Sequence, residues 1–222
     1  MNGPVDGKMR NRPAHPDPPL IGICAKNRAA RLLSEVFQPP VVVTVLLLVS
    51  PALEPGFPGN AWFGAVAAFF VCVLPLGAVL VLVKLGKVTD HHVSRREQRA
   101  PVLAMAFGSL LLGLGVLTAI NAPKSVVVMV LAIVGGVVVT AVVSLFWKIS
   151  GHAGAIAAST AIAVLMLGTA WSPLLLLIPA VAWWRVVVRA HTLAQVVAGA
   201  LLCGGLITWL WWMLTELTVH AG

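Results

Sequence analysis

Apolar residues in this chain do not follow a strand's alternation or the one-faced stripe of a surface helix. They run in blocks of about twenty, the length that crosses a bilayer as a helix. Blocks at 61–85, 101–120, 126–147, 153–170, 174–189 and 193–214 each predict one helix, apolar all round and so covered by lipid or protein on every side. A further block at 36–53 opens with Gln38, Pro39 and Pro40, so it is expected to be the least regular, entering from the side or crossing half-way. Turns are expected at Glu54-Pro55-Gly56-Phe57-Pro58-Gly59, at 121–125 and at Trp171-Ser172-Pro173. The fold class these elements predict is all-α, a polytopic transmembrane helical bundle of about six to seven spans.

Composition excludes a soluble core, because 59% of the residues are hydrophobic, 10% are charged and the mean hydropathy is +0.98. A polar tail at 1–35 stands apart from the transmembrane domain at 36–222. The tail has no apolar core of the signal-peptide kind, so no cleavage is expected, and 28–37 reads as an amphipathic surface helix or a plain juxtamembrane anchor. Cys24, Cys72 and Cys203 lack metal or redox spacing and read as small buried hydrophobes. A net charge of +8 would suggest nucleic acid in a soluble chain; here the basic residues flank apolar spans, so a bilayer is the expected partner and nucleic acid is not. If the first block crosses, Lys124 is the one basic residue among fifteen that falls opposite the tail. The basic face is therefore expected to be cytoplasmic.

Three polar interruptions fall on that face. The first is the loop 86–100 with Asp90, His91, His92, Arg95, Arg96 and Arg99; the second is Lys148-Ile149-Ser150-Gly151-His152; the third runs from Arg185 to Gln195 and contains His191. Ionisable groups at membrane depth are costly and mark functional sites. Arginine forks bind phosphate oxygens bidentately, and phosphoryl transfer asks mainly for such positioning and charge neutralisation. Arg99, Arg185 and Arg96 are the candidate phosphate ligands, with the Ser150 hydroxyl and the Gly151 amide as further donors. His191 and Gln195 lie four residues apart and would share a helix face, within hydrogen-bonding reach. Asp90 is expected to orient an arginine. No metal-ligand spacing is present. Bland readings compete: Arg189 as a snorkelling interface residue, His91 and His92 as solvated loop residues, and His152 with His191 as axial haem ligands, against which the neighbouring Ser-Gly and the arginine spacing argue. Glycines such as Gly113, Gly115, Gly135, Gly136, Gly204 and Gly205 read as helix-packing positions.

Over roughly 90–205 the chain resembles the type-2 phosphatidic acid phosphatase superfamily, which includes the vanadium haloperoxidases. Ser150-Gly151-His152 matches that family's second signature, with Ile149 where proline is common. Arg185, His191 and position 195 match the spacing of the third, with Gln195 where the family commonly has aspartate. Arg99-Ala100-Pro101 stands at the Arg-Pro end of the first, with His92 where lysine is usual; Asp90, Arg96 and Arg99 look like a bacterial variant of it.

The resemblance implies a cofactor-free, metal-independent phosphatase in which His191 is the nucleophile and forms a phosphohistidine. His152 would protonate the leaving oxygen and later activate water. The substrate it implies is a lipid phosphate, foremost a prenyl phosphate or diphosphate, with phosphatidate or phosphatidylglycerol phosphate next. A lipid-phosphate binder or translocator on the same fold is the rival, for which Gln195 is the clue: a carboxamide holds a histidine tautomer but offers no negative charge to an imidazolium.

Overall fold

The computed structural model describes residues 37–86 and 96–220, and its regular structure is helical throughout. The first helix, α1 (Pro39–Val49), extends through a 3-10 turn at Ser50–Leu53. The prolines expected to weaken this block instead start it: Pro39 and Pro40 occupy the first turn, where a missing N–H costs nothing. Helix α2 covers Ala61–Lys84 with a π-helical segment at Phe69–Val73. Helix α3 (Arg96–Ala119) begins before Pro101, so Arg96 and Arg99 belong to its first turns and not to a loop. Helices α4 (Lys124–Phe146) and α5 (Gly151–Leu167) follow.

Residues Thr169–Leu176, expected in part as a turn, form a 3-10 segment that leads into α6 (Leu177–Val187). The last helix, α7, runs Leu193–Ala198, passes through a π-helical segment at Gly199–Gly205 and continues as Leu206–His220, longer than the apolar block alone predicted. Five helices are long and apolar enough to cross a membrane: Ala61–Lys84, Pro101–Ala119, Lys124–Phe146, Thr169–Val187 and Leu193–Thr218. Pro39–Leu53 and Gly151–Leu167 are apolar but shorter. The protein is thus a helical bundle suited to a lipid bilayer. The amphipathic reading of 28–37 falls, apart from Phe37, outside the described residues, as do the rest of the tail, Asp90, His91, His92 and Arg95.

Helix α5 is the packing centre, lying against α7 most extensively and also against α1 and α6. The cause is side-chain size. Gly154, Ala157 and Ala158 on α5 meet Gly199, Cys203 and Gly204 on α7, so the two backbones approach closely, as small residues permit in membrane helices. A Cβ at Gly199 would collide with the Ser150 carbonyl, and one at Gly204 with Ala157 and the Gly154 carbonyl. Gly113, Gly135 and Gly136 likewise admit Phe70, Leu210 and Ile207, whereas Gly115 and Gly205 face open space and have no such role. A buried cluster joins Leu47, Ala67, Leu117, Met129, Ile162 and Trp211 from α1, α2, α3, α4, α5 and α7.

Two sets of contacts fix which connections share an end. The Ser125 amide donates to the Glu54 carboxylate at 2.8 Å, which brings the α1–α2 and α3–α4 connections together. The Ser150 amide donates to the Gln195 carbonyl at 3.1 Å, which brings together the α4–α5 and α6–α7 connections. Following α3 away from its Ser125 end leads its first turns to the end of the bundle that holds the second set.

Candidate phosphate site at the α5 and α7 N-termini

The two motifs meet because each is a helix start pressed against the other. Ser150 is the N-cap of α5: its Oγ accepts from the Ala153 amide at 3.4 Å, and the residue is 0% exposed. With its amide donating to Gln195, Ser150 clamps the two helix starts together. Its hydroxyl is enclosed in protein, so the Ser150 expected as a phosphate donor is positioned to hold the site's frame. Gly151 is exposed, with nothing within 4 Å of where a Cβ would stand.

On the other side of the junction, α6 ends in a turn built on the Arg185 carbonyl. That oxygen accepts from the Ala190 amide at 3.1 Å and the His191 amide at 3.3 Å, while Arg189 adopts a left-handed φ of 56°. This turn is the physical content of the six-residue spacing between Arg185 and His191. Lys148 ties the turn down from the α4–α5 connection by donating from Nζ to the Ala190 carbonyl at 3.1 Å.

His191 and Gln195 do meet, but not on a helix face as their spacing suggested. His191 precedes the helix, Thr192 is the N-cap of α7 and Gln195 is its third residue, and together they form a capping box. The Thr192 amide donates to Gln195 Oε1 at 3.1 Å, and the Gln195 amide donates to Thr192 Oγ1 at 3.3 Å. A backbone amide can only donate, so the atom it meets is the carboxamide oxygen. That same oxygen lies 3.3 Å from His191 Nδ1 and can only accept there. Nδ1 therefore carries the proton and Nε2 presents a lone pair. Burial lowers the His191 pKa to about 4, with the Lys148 and Arg185 charges adding to the effect and the Gln195 bond opposing it. Neutral imidazole with a fixed tautomer is the form a nucleophile needs.

Arg185 and His152 line a cavity of about 50 Å³ together with Trp184 and Phe37. Arg185 Nε is buried with no hydrogen-bond partner among the described residues, so a donor is left unspent beside the two histidine-bearing turns.

The structure thus gathers Ser150, Gly151, His152, Arg185, His191 and Gln195 at one junction. It carries the first turns of α3, with Arg96 and Arg99, to the same end of the bundle. Two contributors have no role assigned in the sequence reading of the site. Lys148 reads there only as part of the second polar interruption and gains its role once the α6–α7 turn is seen beside it, and Phe37 reaches the cavity only because α1 starts at this end. Among the described residues no three His, Cys, Asp or Glu side chains gather as a metal ion would require. The chain matches no protein-family model, and comparison with curated proteins and with solved structures gives no match.

Proposed function

We propose that the protein is an integral membrane phosphatase that hydrolyses the phosphate or diphosphate of an isoprenoid-type lipid through a phosphohistidine. The observation that carries this reading is the His191–Gln195–Thr192 arrangement, which presents a neutral Nε2 beside Arg185. In the first step the Nε2 lone pair forms a bond to the terminal phosphorus as that phosphorus loses its bond to the lipid oxygen of a monophosphate, or to the bridging oxygen of a diphosphate, and His152 gives the departing oxygen a proton. In the second, His152 takes a proton from water as the water oxygen attacks phosphorus, the P–N bond breaks and inorganic phosphate leaves. Arg185, Arg99 and Arg96 bind the equatorial oxygens, where charge is spread in the transition state. The Gly151 amide stands at the start of a helix, where an anion is favoured, and its missing side chain lets the oxygens approach.

The reading includes a topology. The two shorter apolar helices also cross, giving seven spans in the cell membrane, and the site lies on the cytoplasmic face at headgroup depth. Phe37 at the site and the weight of basic residues on that side support it.

The test is phosphate release by purified protein with chelator present, on prenyl diphosphate, prenyl phosphate and phosphatidate, beside His191→Ala. Chelator-resistant release that disappears in the variant is the expected result. A second reading, a lipid-phosphate binder or translocator, is favoured by one observation, the carboxamide of Gln195 where an acid would stabilise imidazolium. Binding that survives His191→Ala with no release from either protein would support that reading instead.

A further inference from the structure

The connection between α4 and α5 is short and extended at both ends, with Trp147 at φ −144° and ψ 142° and Ser150 at φ −89° and ψ 102°. Two of its residues reach across to the segment that carries His191. Lys148 Nζ donates to the Ala190 carbonyl at 3.1 Å, and the Ser150 amide donates to the Gln195 carbonyl at 3.1 Å. Ala190 stands immediately before His191 and Gln195 four residues after it, so one connection holds the histidine segment on both flanks.

The peptide unit between Ala190 and His191 is bonded at both of its polar atoms. Its carbonyl accepts from Lys148, and its N–H, that of His191, donates to the Arg185 carbonyl at 3.3 Å. A peptide unit is planar, so fixing both atoms fixes the direction in which the His191 backbone leaves the turn. The turn needs that support. Arg189 holds a left-handed φ of 56° without being glycine, a conformation that persists where the surrounding bonds over-determine it.

We propose that Lys148 is a positioning residue for His191, because its bond to the Ala190 carbonyl sets the peptide from which the imidazole projects. The inference rests on the phosphatase reading for one point, that His191 is the nucleophile whose aim matters.

The chemistry of the group suits this role. Lys148 is exposed, so its bond adds little to the stability of the fold. Its ammonium carries three donors on a flexible stem, and one suffices for the carbonyl. The same charge also repels a proton from the ring. Two cations act on the imidazole, Lys148 from the α4–α5 connection and Arg185 from α6, while Gln195 from α7 meets it as a neutral acceptor and His152 stands at the start of α5. Burial is the largest cause of the lowered His191 pKa, and Lys148 comes next, ahead of Arg185.

The experiment compares the full chain in detergent with Lys148→Met and Lys148→Arg. Three quantities are measured: the melting transition, kcat and KM for phosphate release from prenyl phosphate, and the pH dependence of His191 carbethoxylation by diethyl pyrocarbonate, mapped by mass spectrometry. Carbethoxylation reads the neutral ring directly and needs no turnover. Lys148→Met should keep the wild-type melting transition, lower kcat about tenfold, the scale of one hydrogen bond from a charged group, and leave KM within about twofold. Half-maximal carbethoxylation should move to higher pH. Lys148→Arg keeps a charge and a donor and should restore both kcat and the profile. A rise in KM with kcat unchanged would overturn the proposal and make Lys148 a substrate ligand. A lowered melting transition with kcat and the profile unmoved would overturn it as a merely structural bond. If Lys148→Met fails to fold, Lys148→Gln removes the same charge from an exposed polar side chain and is read against the same outcomes. Wild-type protein that releases no phosphate from any substrate removes the phosphatase reading alone, and the carbethoxylation profile still decides the role of Lys148. Release with wild-type kcat and an unmoved profile in Lys148→Met removes the positioning role alone.

Discussion

The Ser150 amide donates to the Gln195 carbonyl at 3.1 Å, joining two motifs that lie forty-five residues apart. The bond uses only backbone atoms, so the Gln195 side chain is left for the capping box and the histidine. Gln195→Ala should therefore leave the helix starts docked while freeing the His191 tautomer. The loss of the cap should cost about 1 kcal/mol of stability. Turnover should fall by roughly tenfold to a hundredfold, as for a lost hydrogen bond to a group that becomes charged. A melt in detergent and phosphate release measured on one preparation separate the two effects.

The pH dependence follows from the cause of the His191 shift. Burial and the neighbouring cations favour the neutral ring, so the protonated form appears only as pH falls through about 4. The acid limb of kcat/KM should lie near that value and not near the ordinary histidine range. Gln195→Asp places a carboxylate against Nδ1 and should move the limb to higher pH, because an opposite charge favours imidazolium. A profile whose acid limb does not move between the two proteins would remove His191 from that titration.

Arg185 presents a fork and a buried Nε donor that has no partner among the described residues. Arg185→Lys keeps a charge but loses the fork, and should lower kcat/KM at least about tenfold, the scale of one charge-assisted hydrogen bond. Arg189, exposed and in the left-handed turn, should tolerate Arg189→Asn with little change, since asparagine accepts that conformation. Equal losses in the two variants would point to bulk surface charge.

Gly199 and Gly151 offer a contrast in packing. A side chain at Gly199 meets the Ser150 backbone, so Gly199→Ala should destabilise by about 1–3 kcal/mol and separate the helix starts. Gly151 faces open space, and Gly151→Ala should keep the wild-type melting temperature while lowering turnover, because the new methyl group stands where the phosphate approaches. Thermal melts of both proteins check this.

Phe37 shares the small cavity with His152 and Arg185. Phe37→Ala should widen it and lower KM for a phosphorylated lipid, with kcat little altered. An unchanged KM would show that Phe37 does not limit access.

The sequence by itself determined the class, a helical bundle suited to a bilayer, and marked the residues on which the proposed chemistry rests. Apolar blocks of spanning length leave a helix as the economical way to satisfy the backbone in lipid, and polar groups inside such blocks are too costly to be incidental. It also marked Arg185, His152 and His191 as one chemical set. Helix boundaries were less legible. Pro39 and Pro40 look like breakers until they are seen in the first turn of α1, and Thr169–Leu176 reads as a turn until its 3-10 geometry is seen.

Tertiary structure alone decided how the set is arranged. Spacing of four suggested that His191 and Gln195 share a helix face, whereas the chain turns at Arg189 and joins them through a cap. Ser150 looked like a phosphate donor and is a buried clamp, and Lys148 entered through its bond to the Ala190 carbonyl. The reason is range: hydropathy and spacing are properties of neighbours along the chain, whereas tautomer, clamp and cavity depend on which helix starts meet. That meeting was set by the small residues of α5 and α7, whose partners in space no local pattern names.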